Sequence, residues 1–133
     1  MAGAPVETLA RVPLFSDLDP KELESIAASM KERTFKPGEA VTEEGAGATF
    51  GAFFVIESGE ALVLIGGEER RRLGPGDHFG EVALLAESDR TATVIAETEL
   101  RCWALSAWNF RPIVDENPEL GRKLQQALAR LIS

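Results

Sequence analysis

The residues whose types and spacing could bind a ligand lie in one short segment, 76–93, which reads Gly-Asp-His-Phe-Gly-Glu-Val-Ala-Leu-Leu-Ala-Glu-Ser-Asp-Arg-Thr-Ala-Thr. Gly80 permits close approach of the backbone, and residues 81–85 can form one helical turn whose free amide groups favour an anion. Glu81 places an acceptor beside those amides, and Arg90 is a planar donor that can hold a phosphate through two hydrogen bonds. Together these groups predict a site for a small sugar phosphate.

The charge balance narrows the class of partner. The chain has 133 residues, with 14 Lys and Arg against 22 Asp and Glu, which gives a net charge of −8. Nucleic acids and anionic membranes attract clustered cations, so this balance counts against both as partners. It does not count against a small anion held in one local pocket. The length favours a single domain over residues 1–133, because compact domains cluster at about 100–150 residues.

Cysteine usage and hydropathy indicate the compartment. Cys102 is the only cysteine, so neither an internal disulfide nor a cysteine-rich zinc site can form, and a reducing compartment is expected. No run approaches the roughly 18 consecutive apolar residues of a spanning helix. The N-terminus lacks the basic and apolar regions of a signal peptide. The sequence therefore predicts a cytoplasmic protein.

Helices are predicted at both ends of the chain, where they flank the binding segment. In residues 1–32, the run from Asp19 to Glu22 combines a cap, a proline at the first helical position and a capping-box glutamate. In residues 106–133, Ser106 can cap a short helix, and a second helix follows Asn117-Pro118. The apolar stripe of that last helix comprises Leu120, Leu124, Ala127, Leu128 and Leu131.

Residues 33–105 are predicted to be mainly β, because glycine- and proline-rich turn signals recur at short intervals. The β-rich runs between them are 50–57, 60–65, 70–73, 91–96 and 100–105. Both alternating faces of the run 60–65 are apolar, which predicts a strand that is buried on both sides or that lines an interior cavity. The charged run 68–72 is interpreted as a solvated hairpin.

The order of residues in the binding segment is also informative. It contains Phe79-Gly80-Glu81-Val82-Ala83-Leu84-Leu85 and then Arg90-Thr91-Ala92-Thr93, with a step of nine residues from Glu81 to Arg90. This pattern closely resembles the phosphate-binding cassette of cyclic nucleotide-binding domains. The resemblance extends to Val12-Pro13-Leu14-Phe15, the hairpin 55–60, Gly74-Pro75-Gly76-Asp77 and Asn117-Pro118. It implies a mainly β fold with flanking α-helices: an antiparallel β-roll or jelly roll (double-stranded β-helix) with N-terminal helices and two C-terminal helices.

The resemblance implies a role for each matching residue. Glu81 resembles the acceptor for the ribose 2′-hydroxyl, with Gly80 as its close-approach neighbour. Arg90 resembles the partner of the cyclic phosphate, helped by the backbone amides of Ala83 and Thr91. The apolar wall around ribose and purine is assigned to Val63, Ile65, Leu73 and Val82. The Thr91 hydroxyl admits both cAMP and cGMP, and cAMP is expected in preference to cGMP.

In this family the last helix acts as a lid over the base. The capping residue of the family lies near or beyond the position of Ser133, and the candidates in this sequence are Leu128, Leu131 and Ile132 for an apolar cap and Arg130 for a polar one. A lid that is short, weak or supplied by another subunit stays open as an alternative. The expected mechanism is a population shift in which the ligand favours the closed position of this helix. Repacking of an apolar hinge near residues 110–114 would accompany that movement.

The expected function is a cyclic nucleotide sensor without catalysis. The chain has one histidine, His78, whereas a metal-dependent jelly roll needs several, so no metal and no cofactor other than the ligand cAMP or cGMP is expected. Fifteen residues after Pro118 are too few for a helix-turn-helix, which favours a stand-alone sensor that signals through a homodimer or an effector protein by its C-terminal helix. Two alternatives stay open: a degenerate domain that serves as a protein-interaction module, and a regulatory domain of a longer protein.

Overall fold

Eight strands and four α-helices lie in the part of the chain that the computed structural model describes, residues 3–42, 52–80 and 93–132. The strands are β1 (Lys31–Phe35), β2 (Ala40–Thr42), β3 (Ala52–Ser58), β4 (Ala61–Ile65), β5 (Glu68–Leu73), β6 (His78–Phe79), β7 (Thr93–Ala96) and β8 (Leu100–Ser106). The α-helices are α1 (Val6–Ala10), α2 (Pro20–Ser29), α3 (Ala107–Glu116) and α4 (Pro118–Ile132), and a 3₁₀ helix spans Pro13–Phe15.

The strands form two four-stranded antiparallel sheets. Sheet A has the order β1-β8-β3-β6, and sheet B has the order β2-β7-β4-β5. The chain therefore crosses between the sheets at every connection except the β4–β5 hairpin. This is the strand order of a jelly roll, and it confirms the predicted mainly β fold with helices on both flanks. The assignment of residues 1–133 to one domain stays a prediction.

Three strands, β1, β2 and β6, are absent from the sequence-based prediction. The first four residues of β1 are polar and exposed, so no alternating apolar pattern marks it. Since β1 already begins at Lys31, the predicted helical region 1–32 extends too far. The other two strands have only three and two residues, which is too short for a periodic signal.

The central strand β3 of sheet A is covered on both faces. In β3, the side chains of Phe53, Phe54, Val55 and Ile56 are all 4 % exposed or less. Phe53 and Val55 belong to a helical core that the helices share with the outer face of sheet A. Phe54 and Ile56 belong to an inter-sheet core between the two sheets. The strand β3 is therefore buried on both sides.

The prediction that the strand at 60–65 is buried on both sides is wrong. Leu62 and Leu64, on one face of β4, are only half-buried, and Ile65 on the other face is 41 % exposed. The physical reason is that the described helices pack against sheet A, so they do not cover the outer face of sheet B. The alternative prediction, that this strand lines an interior surface, agrees with the partial burial of Val63 against the inter-sheet core.

The predicted helix starts are confirmed. The backbone N–H of Glu22 donates to Asp19 Oδ1 at 2.8 Å, and the backbone N–H of Asp19 donates to Glu22 Oε1 at 2.9 Å, which completes the capping box of α2. Ser106 Oγ accepts a backbone N–H three residues on at 3.1 Å, at the start of α3. Asn117 Oδ1 does the same for α4 at 3.3 Å. Each cap satisfies a donor that the first turn leaves without an intrahelical partner.

The connection between β3 and β4 depends on Gly59. Its φ is +94°, and a Cβ atom added there would lie 2.1 Å from the carbonyl oxygen of Glu99. Gly67, in the β4–β5 turn, has a similar φ of +82°, but a Cβ atom added there would meet nothing within 4 Å. The two glycines therefore share the backbone conformation and differ in the space around them.

We expect Gly59→Ala to lower the free energy of unfolding more than Gly67→Ala does. The left-handed conformation costs a non-glycine residue about 1–2 kcal/mol at either position, and only the first variant adds a clash with the Glu99 carbonyl group. Urea denaturation followed by tryptophan fluorescence measures both losses. Equal losses would show that the chain around Glu99 moves aside at no cost.

Cys102 lies in the inter-sheet core with a fully buried side chain. Burial raises the pKa of its thiol to about 12, and the nearby positive charge of Arg33 opposes this only in part. The ordinary pKa of a cysteine is about 8.5. The thiol therefore stays protonated in the folded protein at pH values where it ionises in the unfolded chain.

We expect the free energy of unfolding to fall as the pH rises above about 9, because only the unfolded chain gains from ionising its thiol there. Cys102→Ala should remove this part of the pH dependence, whatever its effect on stability at neutral pH. Denaturation midpoints of both proteins between pH 7 and 11 measure the two slopes. Parallel slopes would contradict the raised pKa.

Candidate functional site

The inner face of sheet B, which faces sheet A, carries rows of side chains whose alignment is set by strand register. Side chains alternate between the two faces of a strand, so Ala61, Val63 and Ile65 of β4 share the inner face. Antiparallel pairing then sets two neighbouring rows across β7, β4 and β5. The closed row consists of Ala96, Ala61 and Leu73, and the open row consists of Val94, Val63 and Arg71.

Burial decreases from the closed row to the open row. All three side chains of the closed row are 1 % exposed or less. In the open row, Val94 is 4 % exposed, Val63 is half-buried and Arg71 is exposed. One step further along β4, Ile65 is 41 % exposed. The inner face of sheet B therefore opens towards solvent at the end of β4 that leads into the β4–β5 turn.

The predicted cassette ends beside this opening. Its first residue, Phe79, ends β6, and Gly80 follows with a φ of +90°, a conformation that favours glycine. At its other end the chain enters β7 at Thr93, which pairs with Leu64 on β4. Leu64 is the neighbour of Ile65, the exposed apolar residue on the inner face. The last residues of the cassette are thus adjacent in the chain to the open end of sheet B.

The turn before β6 moves the chain from sheet B to sheet A and sets where the cassette begins. The backbone N–H of Gly74 donates to Asp77 Oδ2 at 2.8 Å, and the N–H of Asp77 donates back to the Gly74 carbonyl at 3.0 Å. The N–H of Ile56 in β3 donates to the carbonyl of Asp77 at 2.9 Å. Phe79 then stacks on Phe54 with 5.0 Å between ring centroids. Backbone bonds and a buried ring therefore hold the start of the cassette against sheet A.

The structure describes four of the predicted ligand-binding residues, Gly80, Val63, Ile65 and Leu73. Val63 and Ile65 share the inner face of sheet B and present surface there, whereas Leu73 is 1 % exposed and supports that face from within the core. The others lie outside the described residues: Glu81, Val82, Ala83, Arg90 and Thr91. The same holds for the side chains of the predicted lid residues Leu128, Leu131 and Ile132. The binding roles of all these residues stay predictions.

The apolar stripe of α4 is buried within the chain. Leu120, Leu124 and Ala127 are each 1 % exposed or less and belong to the helical core. Leu14 and Phe15 of the 3₁₀ helix belong to the same core. The described part of the stripe therefore packs on the N-terminal segment of its own chain.

Two ion pairs also join α4 to the N-terminal segment. Lys123 Nζ donates to Glu22 Oε1 at 2.8 Å, and the guanidinium group of Arg130 donates to Asp17 Oδ2 at 2.6 Å. The side chain of Glu22 is only 7 % exposed, and the same oxygen accepts the capping bond of α2. The hydrogen bond to Glu22 raises the pKa of Lys123. Arg130, the predicted polar lid residue, thus has an acidic partner on the N-terminal side.

The three adjacent arginines of β5 divide between the two faces of sheet B. Arg70 and Arg72 form ion pairs with glutamates of the same sheet and its turns. Arg71 is opposite Val63 and two residues before Leu73, which places it on the inner face. The interpretation of 68–72 as a solvated hairpin agrees with the exposure of all five residues, among which Arg71 lies on the inner face. In the sequence, the signal for this placement is the alternation of side chains along a strand: Arg71 is two residues before the buried Leu73 and therefore shares its face.

The described ranges contain no cluster of three or more His, Cys, Asp or Glu side chains arranged to hold a metal ion. Within those ranges, the helices also fall short of the length and apolarity that crossing a bilayer requires.

Comparison with known sequences gives one family and relatives whose names refer to the same ligand class. The family described as cyclic nucleotide-binding domain matches residues 32–117. Potassium/sodium hyperpolarization-activated cyclic nucleotide-gated channel 4 of Homo sapiens is 35 % identical over 125 residues, which cover 92 % of this chain and 10 % of the channel. Channel 2 of Mus musculus is 34 % identical over 118 residues, covering 88 % of this chain and 13 % of the channel. The chain thus spans about a tenth of the length of these curated relatives.

Comparison with solved structures gives a match along most of the chain. The N-terminal domain of a transcriptional regulator from Streptomyces coelicolor A3(2) superimposes with a TM-score of 0.81 at 31 % sequence identity. The superposition covers 94 % of this chain and 91 % of that domain.

We expect Glu22→Ala to lower the free energy of unfolding by about 1–2 kcal/mol, because it removes a cap of α2 and a buried partner of α4. Glu22→Gln keeps an acceptor for the cap and removes the charge that faces Lys123, so it isolates the ion pair. Glu119→Ala is the matched control, since its ion pair with Arg122 is exposed and lies within α4. Thermal or urea denaturation measures all three, and a loss for Glu119→Ala as large as for Glu22→Ala would contradict the assignment.

Proposed function

Because the chain belongs to the cyclic nucleotide-binding domain family, we propose that it binds a purine 3′,5′-cyclic nucleotide and acts as a sensor without catalysis of its own. One observation supports this most strongly: the cassette enters β7 beside the open, apolar end of the inner face of sheet B. A cyclic nucleotide has a polar sugar phosphate joined to a flat base. A ligand of that kind suits a boundary between a polar loop and an apolar wall.

The polar half of the proposed site belongs to the cassette. Glu81 would accept a hydrogen bond from the ribose 2′-hydroxyl, and Arg90 would hold the cyclic phosphate, assisted by the backbone amides of Ala83 and Thr91. The support for these roles is the residue order and the nine-residue step between Glu81 and Arg90. A guanidinium group with oriented amides is a strong combination for one phosphate charge.

The apolar half belongs to sheet B. Val63 and Ile65 would contact the ribose and purine, and Val82 would add to this wall from the cassette. Leu73 would support the wall, because its side chain is buried directly behind the inner face. An acidic protein can hold an anion here because the local partners, and not the net charge, set the binding energy.

The proposed signal passes through the joint between α3 and α4. Pro112 lies inside α3 and has no N–H, so the helix lacks one internal hydrogen bond there and bends at lower cost. A Cβ atom added to Gly121 of α4 would lie 2.6 Å from Cγ1 of Val114 in α3, so the two helices are in very close contact. We infer that repacking of Phe110, Ile113 and Val114 on ligand binding would displace α4.

Movement of α4 onto a bound base would break contacts that the structure describes. The buried stripe would leave the helical core, and Arg130 would leave Asp17. A ligand can drive this change only by the difference in its affinity for the two arrangements. We therefore propose that α4 acts as a lid through Leu128, Arg130 and Leu131. We also propose that a displaced α4 contacts a second copy of the chain or an effector protein.

The wider roles are also proposals. We propose that the protein works in the cytoplasm, either as a stand-alone sensor or as the regulatory domain of a longer protein. We also propose that the protein binds cAMP in preference to cGMP. A degenerate domain that serves only as an interaction module predicts no ligand binding, so one experiment separates it from the sensor.

Isothermal titration calorimetry with cAMP and with cGMP tests the proposed function. We expect saturable heat with a one-to-one stoichiometry for at least one of the two nucleotides. The non-cyclic nucleotides AMP and GMP, whose phosphates carry more charge and freedom, are the matched ligand controls. The absence of saturable heat at high micromolar concentrations of both cyclic nucleotides would reject the sensor and favour the interaction module.

We expect Arg90→Ala to weaken binding by about 2–4 kcal/mol, because it removes the charged partner of the phosphate. Arg101→Ala is the matched control for the loss of one positive charge, since Arg101 lies exposed on β8 of sheet A and pairs with Glu32. Its affinity should equal that of the unaltered protein. An unchanged affinity of Arg90→Ala would remove this residue from the site.

A further inference from the structure

We propose that the outer face of sheet A docks a basic segment of a partner protein, with an arginine of that segment stacked on Trp103 and paired with Glu57. This surface lies outside the proposed ligand site, which belongs to the inner face of sheet B. The inference therefore does not depend on nucleotide binding. It starts from Trp103 of β8, which the described helices cover only in part.

Burial along β8 shows where the helical cover of this face ends. Leu105, Trp103 and Arg101 share the outer face, because side chains alternate along a strand. Leu105 is fully buried in the helical core, Trp103 is half-buried at the margin of the same core, and Arg101 is exposed. The described helices therefore cover one end of the outer face and leave the other end accessible.

Strand register places a carboxylate on either side of Trp103. On β1, Glu32 pairs directly with Trp103. On β3, the ladder with β8 has a register shift between Ile56 and Ser58, and Glu57 lies at this shift. Trp103 Nε1–H donates to Glu57 Oε1 at 2.8 Å. Since this bond uses the only polar group of the indole, the face of the ring is the part left to contact a partner.

The charges around Trp103 select a cationic partner. Arg101 donates to Glu32, with 3.0 Å between Nε and Oε2. Glu57 has only the neutral indole as its partner among the described residues. The carboxylates of Glu32, Glu57 and Glu99 together raise the pKa of Arg101, and the hydrogen bond from Glu32 is the largest cause. Three anions thus surround one cation, and the charge of Glu57 has no cation in contact with it in the described part of the chain.

An aromatic face beside a carboxylate matches the chemistry of arginine. A guanidinium group stacks on an indole ring through a cation–π interaction and donates two parallel hydrogen bonds to a carboxylate. A lysine ammonium group is a point charge without this planar pair of donors. Tryptophan is also among the residues that dominate binding energy at protein interfaces. An arginine-containing segment therefore fits both groups at once.

The charge of the whole chain supports a basic protein segment as the occupant. The net charge of −8 counts against a nucleic acid and an anionic membrane at any accessible face. The excess of glutamates around Trp103 also counts against a second copy of the same acidic chain at this face.

Fluorescence anisotropy with two labelled peptides tests the inference. One peptide alternates glycine with arginine, and the other alternates glycine with lysine at the same length and charge. We expect the arginine peptide to bind the unaltered protein about two- to fivefold more tightly, because the peptides differ only in stacking and in paired donors. For Trp103→Leu the two affinities should become equal. Both peptides should bind more weakly as the salt concentration rises.

A second variant tests the carboxylate. Glu57→Gln keeps an acceptor for the indole N–H and removes the charge, so it should weaken binding of the arginine peptide by about two- to fivefold. Glu57 is exposed, so this test is independent of any effect of Trp103→Leu on stability, which thermal denaturation measures. Glu68→Gln is the matched control, since it removes an exposed charge from β5 of sheet B. Its affinity should equal that of the unaltered protein.

Three results would overturn the inference. The first is equal affinity of the two peptides for the unaltered protein, or no binding of either. The second is an equal loss for Glu57→Gln and Glu68→Gln, which would reduce the binding to attraction by the net charge. The third is a dimer of the protein alone, measured by sedimentation velocity, that Trp103→Leu abolishes, since a second copy would then occupy this face. Calorimetry with cyclic nucleotides tests the proposed function separately, so failure of one is distinguishable from failure of the other.

Discussion

The burial of the central strand β3 of sheet A on both faces is the constraint on which the rest of the structure depends. Phe53 and Val55 of β3 face the helical core, while Phe54 and Ile56 face the inter-sheet core. A strand with no free face cannot present a ligand surface. Sheet B therefore supplies the accessible inner surface, and the described helices pack against sheet A.

The same constraint links the two ends of the chain. The helical core contains residues of α1, α2, the 3₁₀ helix, α3 and α4, together with the outer face of sheet A. The N-terminal helices and α4 cover one surface jointly, and the ion pair between Lys123 and Glu22 joins them 101 residues apart in sequence. A change in the position of α4 would therefore expose part of the N-terminal segment as well. In this fold, the segment that precedes the sheets is a structural component of the proposed switch.

Sequence reasoning predicts the fold class, the capped helices and the cassette, because each has a local signal. The capping box at Asp19 and Glu22 is one such signal, and the residue order from Phe79 onwards is another. It does not predict β1, whose exposed face is polar, or β2 and β6, which are too short for periodicity. It leaves open whether β4 is buried on both sides or lines an interior surface, because its two apolar faces give the same sequence pattern whether or not helices cover the outer one. The position of Arg71 on the inner face of sheet B depends on strand register, which a run of five charged residues does not reveal.

The four outer strands of the two sheets also bear on how the protein avoids self-association. An edge strand with free N–H and C=O groups can pair with another chain, and proteins limit this by charge, shortness or bulges. Within the described residues all three devices occur. The edge strand β1 carries the charged residues Lys31, Glu32 and Arg33. The edge strand β5 carries Glu68, Glu69 and three arginines, and its pairing with β4 contains a register shift. The edges β6 and β2 have two and three residues, and β2 also lies at a register shift. Among the described strands, edge-to-edge pairing between copies is thus disfavoured at all four edges of the two sheets.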